Sequence, residues 1–260
     1  MRYTYLPKAR GFTLIELLVT ITILAVLAAL VFSISKRAIR GARTASEVNH
    51  LRQCGQVLNL VAGELGHYPV GWDATEERSW ADAVRVEQQG EEAKTTQLET
   101  LWSPLLERDI PLTLERGAIT HFAGNPAILT DAAGPGAEDP GAPRFKIRLA
   151  GLRRPSEQVL LCAALPESSH ADYHAARPVL SEMADAVGDT GGPERPQMDA
   201  QRAAEPMRFP ATADPDAETF GAAPDFFRFG KGKGQFLFVD GHIQSMAPSE
   251  HRERHWASNY

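Results

Sequence analysis

KARGFTLIELLVTITILAVLAALVFSI, from Lys8 to Ile34, is a basic collar followed by an apolar run that holds one carboxylate. From Phe12 to Ile34 the only ionisable side chain is Glu16. A helix needs about 20 apolar residues to cross a hydrocarbon core of ~30 Å, so the run is expected to span a membrane. Arg2, Lys8 and Arg10 precede it with no acidic residue among them. A short basic flank stays on the cytoplasmic side, which makes the remaining chain exported.

A carboxylate inside a span costs up to roughly 3 kcal/mol on insertion scales, less near the interface, and calls for a compensating partner. One reading is a signal anchor whose Glu16 snorkels to the headgroups. A cleaved secretory signal fits worse, because the apolar stretch exceeds the usual length of about 7–15 residues. Lys36 and Arg37, just beyond it, form a stop-transfer-like flank.

Arg10-Gly11-Phe12-Thr13-Leu14-Ile15-Glu16-Leu17-Leu18-Val19 resembles the class III signal of type IV pilins and type II secretion pseudopilins. The resemblance implies that prepilin peptidase cuts between Gly11 and Phe12 on the cytoplasmic side, and that the new terminal Phe12 is N-methylated. It also implies that Glu16 meets the free terminal amine of a neighbouring subunit. Such a pair would offset desolvation in a low dielectric, whereas a carboxylate by itself tends to neutralise.

The 260 residues, 43% of them hydrophobic, supply one span plus one medium globular domain. Formal charge is −6. Loss of the leader's cations leaves 24 basic against 33 acidic residues, or −9. That balance argues against specific nucleic-acid binding, which rests on cations facing phosphates. Cys54 and Cys162 are the only cysteines; a thiolate metal cluster is excluded, while a disulfide and two buried free thiols both remain open.

Beyond the span, Val48, Leu51, Cys54, Leu58, Val61 and Leu65 recur at three- and four-residue steps, which predicts an apolar helical stripe. Asn49, Arg52, Gln53 and Gln56 fall opposite. Gly66 and Pro69 end the helix. Continuous from Phe12, it would be ~80 Å long, with Gly41 and Gly55 as weak points where it could bend. The stripe needs a sheet to cover it. From His67 to about Arg116, loop and short helix mix, with an amphipathic turn at Leu98, Leu101, Trp102 and Leu105. Trp72, Trp80 and Trp102 read as core rather than a ligand groove. Phe145, Ile147 and Leu149 alternate with Arg144, Lys146 and Arg148, predicting a half-buried strand. Val159 to Ala163 reads as a more central one. Asp240-Gly241 predicts a two-residue type I′ hairpin that pairs Val239 with His242 and sets Phe236, Phe238 and Ile243 against the helix.

Phe236-x-Phe238-x-Asp240-Gly241-His242, with Cys54-Gly55-Gln56-x-Leu58 and Arg154-Pro155-Ser156-Glu157, resembles large pilin-like proteins present in multiple copies in planctomycete and verrucomicrobial genomes. This likeness sharpens fold more than function. The expected organisation is a leader at 1–11, a transmembrane half-helix at 12–35 and an exported amphipathic half-helix at 36–66. An α+β head follows at 67–180 and 226–247, interrupted by a mobile acidic Pro/Gly-rich loop at 181–225 and ended by a polar tail at 248–260. The fold class is α+β and pilin-like: a long N-terminal helix packed on a mainly antiparallel sheet.

Other candidate sites carry less. His170 and His174 flank Asp172 without a third metal ligand at a telling spacing. His251 and His255 sit in what reads as an exposed tail. Gly230-Lys231-Gly232-Lys233-Gly234 lacks the Lys-Ser/Thr pair of a phosphate-binding loop. Asp240 and His242 are assigned to the turn and are not expected to converge. The acidic loop has no EF-hand spacing, so calcium is not predicted. The reading is therefore a non-enzymatic filament subunit with no cofactor, metal or catalytic residue. Its partners are prepilin peptidase, other pilin-like subunits and the bacterial inner membrane. Two alternatives stand beside it: a membrane-tethered module binding glycan, peptide or DNA without polymerising, and a tethered hydrolase using His170, His174 or His242.

Overall fold

A computed structural model describes residues 14–73, 75–76, 78–90, 98–105, 120–133, 142–164, 201, 204–207, 224–226, 229 and 232–258. Helix α1 runs over Leu14–Leu65. The chain divides between Arg43 and Thr44 into two units, and the second begins with the part of that helix from Thr44 onward. Gly66, at φ 76°, terminates α1 in a conformation that favours glycine.

In the second unit the apolar stripe is realised. Leu51, Cys54, Leu58 and Val61 are buried, while Leu65, expected to extend it, is exposed. Strands β1 (Trp72–Asp73) and β2 (Arg78–Ser79) form a small antiparallel pair. Helix α2 (Trp80–Gln89) follows, opened by a capping box: the Ser79 hydroxyl accepts from the Ala81 amide, and the Asp82 carboxylate accepts from the Ser79 amide. Trp80 and Trp102 are buried, as the core reading requires.

The main sheet has the order β3-β4-β5-β6, antiparallel throughout, with β3 at Phe122–Gly124, β4 at Val159–Ala163, β5 at Gly234–Phe238 and β6 at Ile243–Met246. β4 is buried along its whole length, matching its predicted central position. The sheet separates two cores. Leu51, Leu58, Leu161, Leu237 and Val239 belong to the core that includes α1, and Val159, Cys162, Phe226, Phe236, Phe238 and Trp256 to the other. Cys54 and Cys162 are buried free thiols, one in each core, so no disulfide joins them.

The final hairpin departs from expectation. Its loop has three residues, not two: the Phe238 amide donates to the His242 carbonyl and the Gly241 amide to the Phe238 carbonyl, both at 2.9 Å. Gly241, at φ 90°, supplies the turn's positive-φ position. The pairing is accordingly Leu237 with Ile243 and Phe236 with Gln244. A one-residue slip exchanges faces, so Leu237 and Val239, rather than Phe236 and Phe238, turn toward α1. The surroundings hold this register: Asn59 of α1 donates to the Val239 carbonyl at 2.8 Å, and the Val239 amide donates to the Gln158 carbonyl at 3.0 Å.

Three other expectations change. Residues 144–149 alternate between exposed and half-buried as predicted, but form no strand; Leu149–Gly151 is a 3-10 turn. Their backbone is spent on irregular partners, such as the Tyr68 amide on the Ile147 carbonyl. The segment read as an exposed tail is folded into 3-10 turns at Pro248–Glu250 and Glu253–His255, with His251, His255, Trp256 and Ala257 buried. Within the span read as a mobile loop, Met207 and Asp225 are buried, and Pro206 and Pro224 form bridges to Arg252 and Ala164.

Gly55 is not a bend but a close approach. A Cβ there would lie 2.2 Å from a Leu237 methyl and 3.3 Å from its Cγ. In detergent-solubilised full-length chain, Gly55→Val is expected to lower head stability by about 1–3 kcal/mol through overpacking. Adding Leu237→Ala should recover part of that loss; strictly additive denaturation energies would contradict the contact.

Burial depresses His251 to about 3 and His255 to about 4, and nearby cations (His255 and Arg252 for His251; Arg254 and Arg252 for His255) act in the same direction. The unfolded chain takes up protons below about 6.5, where these imidazoles do not. Stability is then full above that pH and falls on acidification toward 4 and 3. At pH 5 the loss should be on the order of 2 kcal/mol per imidazole. Denaturant midpoints at pH 7 and 5 test this, with a His255→Gln variant expected to show a smaller pH effect.

Candidate membrane and assembly helix

The first unit is described from Leu14 through Arg43, all of it helix. Its large apolar side chains up to Ile34 are exposed, from 50% at Val19 to 83% at Leu14. An apolar stretch with mean hydropathy 2.8 and no burial inside its own chain is long enough to cross a membrane. The polar groups along it are internally satisfied where their bonds are seen: the hydroxyls of Thr20, Thr22 and Ser35 donate to the carbonyls of Leu17, Val19 and Val31, each at 2.8 Å. Such back-bonding lets hydroxyls enter lipid without losing a partner. Glu16 lies in the first turn of α1, where the helix dipole favours a negative charge. Gly11 and Phe12, the expected cleavage pair, lie outside the described residues.

Beyond Ile34 the surface turns basic. Lys36, Arg37, Arg40 and Arg43 are all exposed, and the Lys36 ammonium lies 4.8 Å from the Phe32 ring centroid.

Asp240 and His242 do converge, contrary to expectation: Nδ1 of His242 lies 2.6 Å from Oδ1 of Asp240, which also accepts the His242 amide at 3.1 Å. The three-residue loop brings them together, and the imidazole stacks on Phe238 with centroids 4.3 Å apart. The carboxylate thus orients the ring at a solvent-facing hairpin tip. His251 is enclosed by Phe226, Phe236, His255 and Trp256 rings, and the burial of both histidines fits core packing rather than ligand capture. His170, Asp172 and His174 lie outside the described residues, as do Gly230 and Lys231. Among the described residues no group of three or more His, Cys, Asp or Glu side chains is placed to hold a metal.

One polar assembly escaped the sequence reading. Glu47 is buried and accepts from the Ser103 hydroxyl; His121 Nδ1 accepts the Ser103 amide at 3.0 Å; and His50 Nδ1 bonds the Trp102 carbonyl at 2.9 Å. These groups tie α1 to the turn that follows Glu99–Leu101. The signal was present in phase: Glu47 and His50 continue the Leu51, Cys54, Leu58 stripe one turn earlier, so polar side chains there had to be buried.

A family model described as the prokaryotic N-terminal methylation motif matches residues 6–32. No curated protein and no solved structure gives a match. The matched motif and the α+β arrangement with antiparallel sheets together support a type IV pilin-like protein, whose N-terminal helix is long and apolar enough to cross a membrane.

Proposed function

We propose that the chain is a non-enzymatic structural subunit of a type II secretion pseudopilus or a type IV pilus-like filament. The observation that carries this reading is the coincidence of the methylation motif with an exposed apolar helix whose only ionisable side chain up to Ile34 is Glu16. Prepilin peptidase would remove residues 1–11, cutting between Gly11 and Phe12, and Phe12 would be N-methylated. The terminal amine of one subunit then meets Glu16 of another. Leu14 through Val31 exchange lipid for neighbouring helices. Cations flank both ends of the span, so orientation rests on the motif: the peptidase acts from the cytoplasm, and the α+β head lies outside the inner membrane. Residues 12–35 form the embedded half of the helix and 36–66 the exported half.

Mass spectrometry of the mature N-terminus in the native host is expected to find Phe12 first, carrying one methyl group. Gly11→Ala should leave the leader in place; a wild-type protein that still begins at Met1 would refute the proposal.

Glu16→Ala should be processed normally but assemble poorly, because breaking a charge pair in a low dielectric costs about 3–5 kcal/mol. A fall of roughly tenfold or more in the sedimentable fraction is the expected outcome. Wild-type chain that never sediments as polymer would instead favour a tethered binding module.

A further inference from the structure

No acidic residue occurs between Glu16 and Glu47, yet Lys36, Arg37, Arg40 and Arg43 fall within that interval. At 3.6 residues per turn they occupy one helical sector about 120° wide, spread over two turns. All four are exposed, and the sector adjoins the end of the apolar run. The interfacial layer beyond the hydrocarbon is roughly 5–8 Å deep on each side. Measured from Ile34 along the axis, Lys36 and Arg37 begin within ~5 Å, Arg40 at ~9 Å and Arg43 at ~14 Å.

Direction matters as much as distance. Side chains of an α-helix slant toward its N-terminus, so cations placed after a span lean back toward the bilayer. Lys36 shows this lean in its position over Phe32, one turn earlier. Arg43 can reach back in the same way and bring its guanidinium group to phosphate depth, where bidentate pairing is available. The rest of the chain opposes contact with an anionic surface: residues 44–260 hold 20 basic against 32 acidic side chains, a net of −12. A polycationic stripe beside a span, with an acidic remainder, is charge-complementary to a headgroup layer.

We propose that Lys36, Arg37, Arg40 and Arg43 form a binding surface for anionic phospholipid headgroups, which sets the depth of the span. This rests on the membrane-spanning reading of α1 but not on polymerisation. The full chain is reconstituted in phosphatidylcholine vesicles with and without phosphatidylglycerol, and electron spin resonance measures the motionally restricted fraction of spin-labelled phosphatidylglycerol and phosphatidylcholine. The wild type should enrich phosphatidylglycerol about threefold or more over phosphatidylcholine. The preference should decline toward parity at about 1 M salt, where screening acts within ~3 Å. Replacing all four cations with glutamine should abolish it, whereas lysine at all four positions should retain most of it. Circular dichroism checks that the glutamine variant keeps its fold.

Unchanged enrichment in the glutamine variant would overturn the proposal. So would restricted lipid with no preference for phosphatidylglycerol. A salt-sensitive association between copies that vanishes in the glutamine variant while lipid preference persists would reassign the stripe to a protein partner. Absence of restricted lipid of either kind would refute the span itself and this proposal with it.

Discussion

Leu237 packs against α1 at Gly55, and a Cβ at that position would collide with it. The missing side chain leaves room for the Leu237 side chain of β5 to pack down onto the helix backbone, on the face of the sheet that the helix covers. β5 alternates, so with Leu237 and Val239 turned toward α1, Phe236 and Phe238 must enter the opposite core. The second core exists to cover that aromatic face. Met207, Phe226 and the C-terminal turn carrying His251, His255 and Trp256 supply the cover. A residue that looks like a helix defect in isolation is therefore the point from which two layers of packing follow.

Helix α1 follows two sequence rules along its length, and changes from one to the other over a short basic interval. Up to Ile34 its large side chains are apolar and exposed, with Glu16 the one ionisable group, as lipid or a bundle of like helices demands. From Glu47 onward only one side is buried, with Arg52 and Gln56 exposed between buried Leu51, Cys54 and Leu58. Four cations and no acids lie between the two regimes. The polar groups within the buried side are engaged: Glu47 by Ser103, His50 by the Trp102 carbonyl, Asn59 by the Tyr68 hydroxyl and the Val239 carbonyl. Each such bond is directional, so together they fix the helix's rotation against the sheet in a way apolar contact by itself does not.

How much of this was legible depended on whether the controlling interaction was local. The span, the stripe at Leu51, Cys54 and Leu58, the Gly66 stop and the central strand at Val159–Ala163 are written in periodicity or in a single turn residue, and all were readable. The hairpin is legible at Asp240-Gly241, but its loop is one residue longer than the sequence predicts. Asp-Gly is compatible with two loop lengths, and the choice was made at a distance by Asn59 and Gln158. That one residue reversed the assignment of Phe236 and Phe238. It also hid the convergence of Asp240 with His242. The C-terminal segment misled for a related reason: its Glu and Arg residues suggest solvent, while its burial is dictated by an aromatic face that only the correct register reveals. At residues 144–149 alternation predicted burial correctly but not pairing, since periodicity reports which side chains face inward and says nothing about which backbone lies alongside.

The distribution of polarity along the first unit bears on how copies of the chain could recognise one another. Lipid tails are as apolar as leucine, so exchanging lipid for a neighbouring helix yields little hydrophobic driving force. Packing along Leu14 to Val31 would be permissive about axial register, because one apolar turn resembles the next. Thr20 and Thr22 add little discrimination, as their hydroxyls are already bonded within the helix. Glu16 is different in kind: it is the only ionisable group in the run, and it lies at the end nearest the proposed amino terminus. In a low dielectric a carboxylate distinguishes sharply between a neighbour that brings a positive amine to it and one displaced by a turn. In the proposed filament, the long apolar helix would supply contact area while the single charge would set the stagger between copies. Placing that charge near the interface lessens the cost of inserting the monomer into lipid.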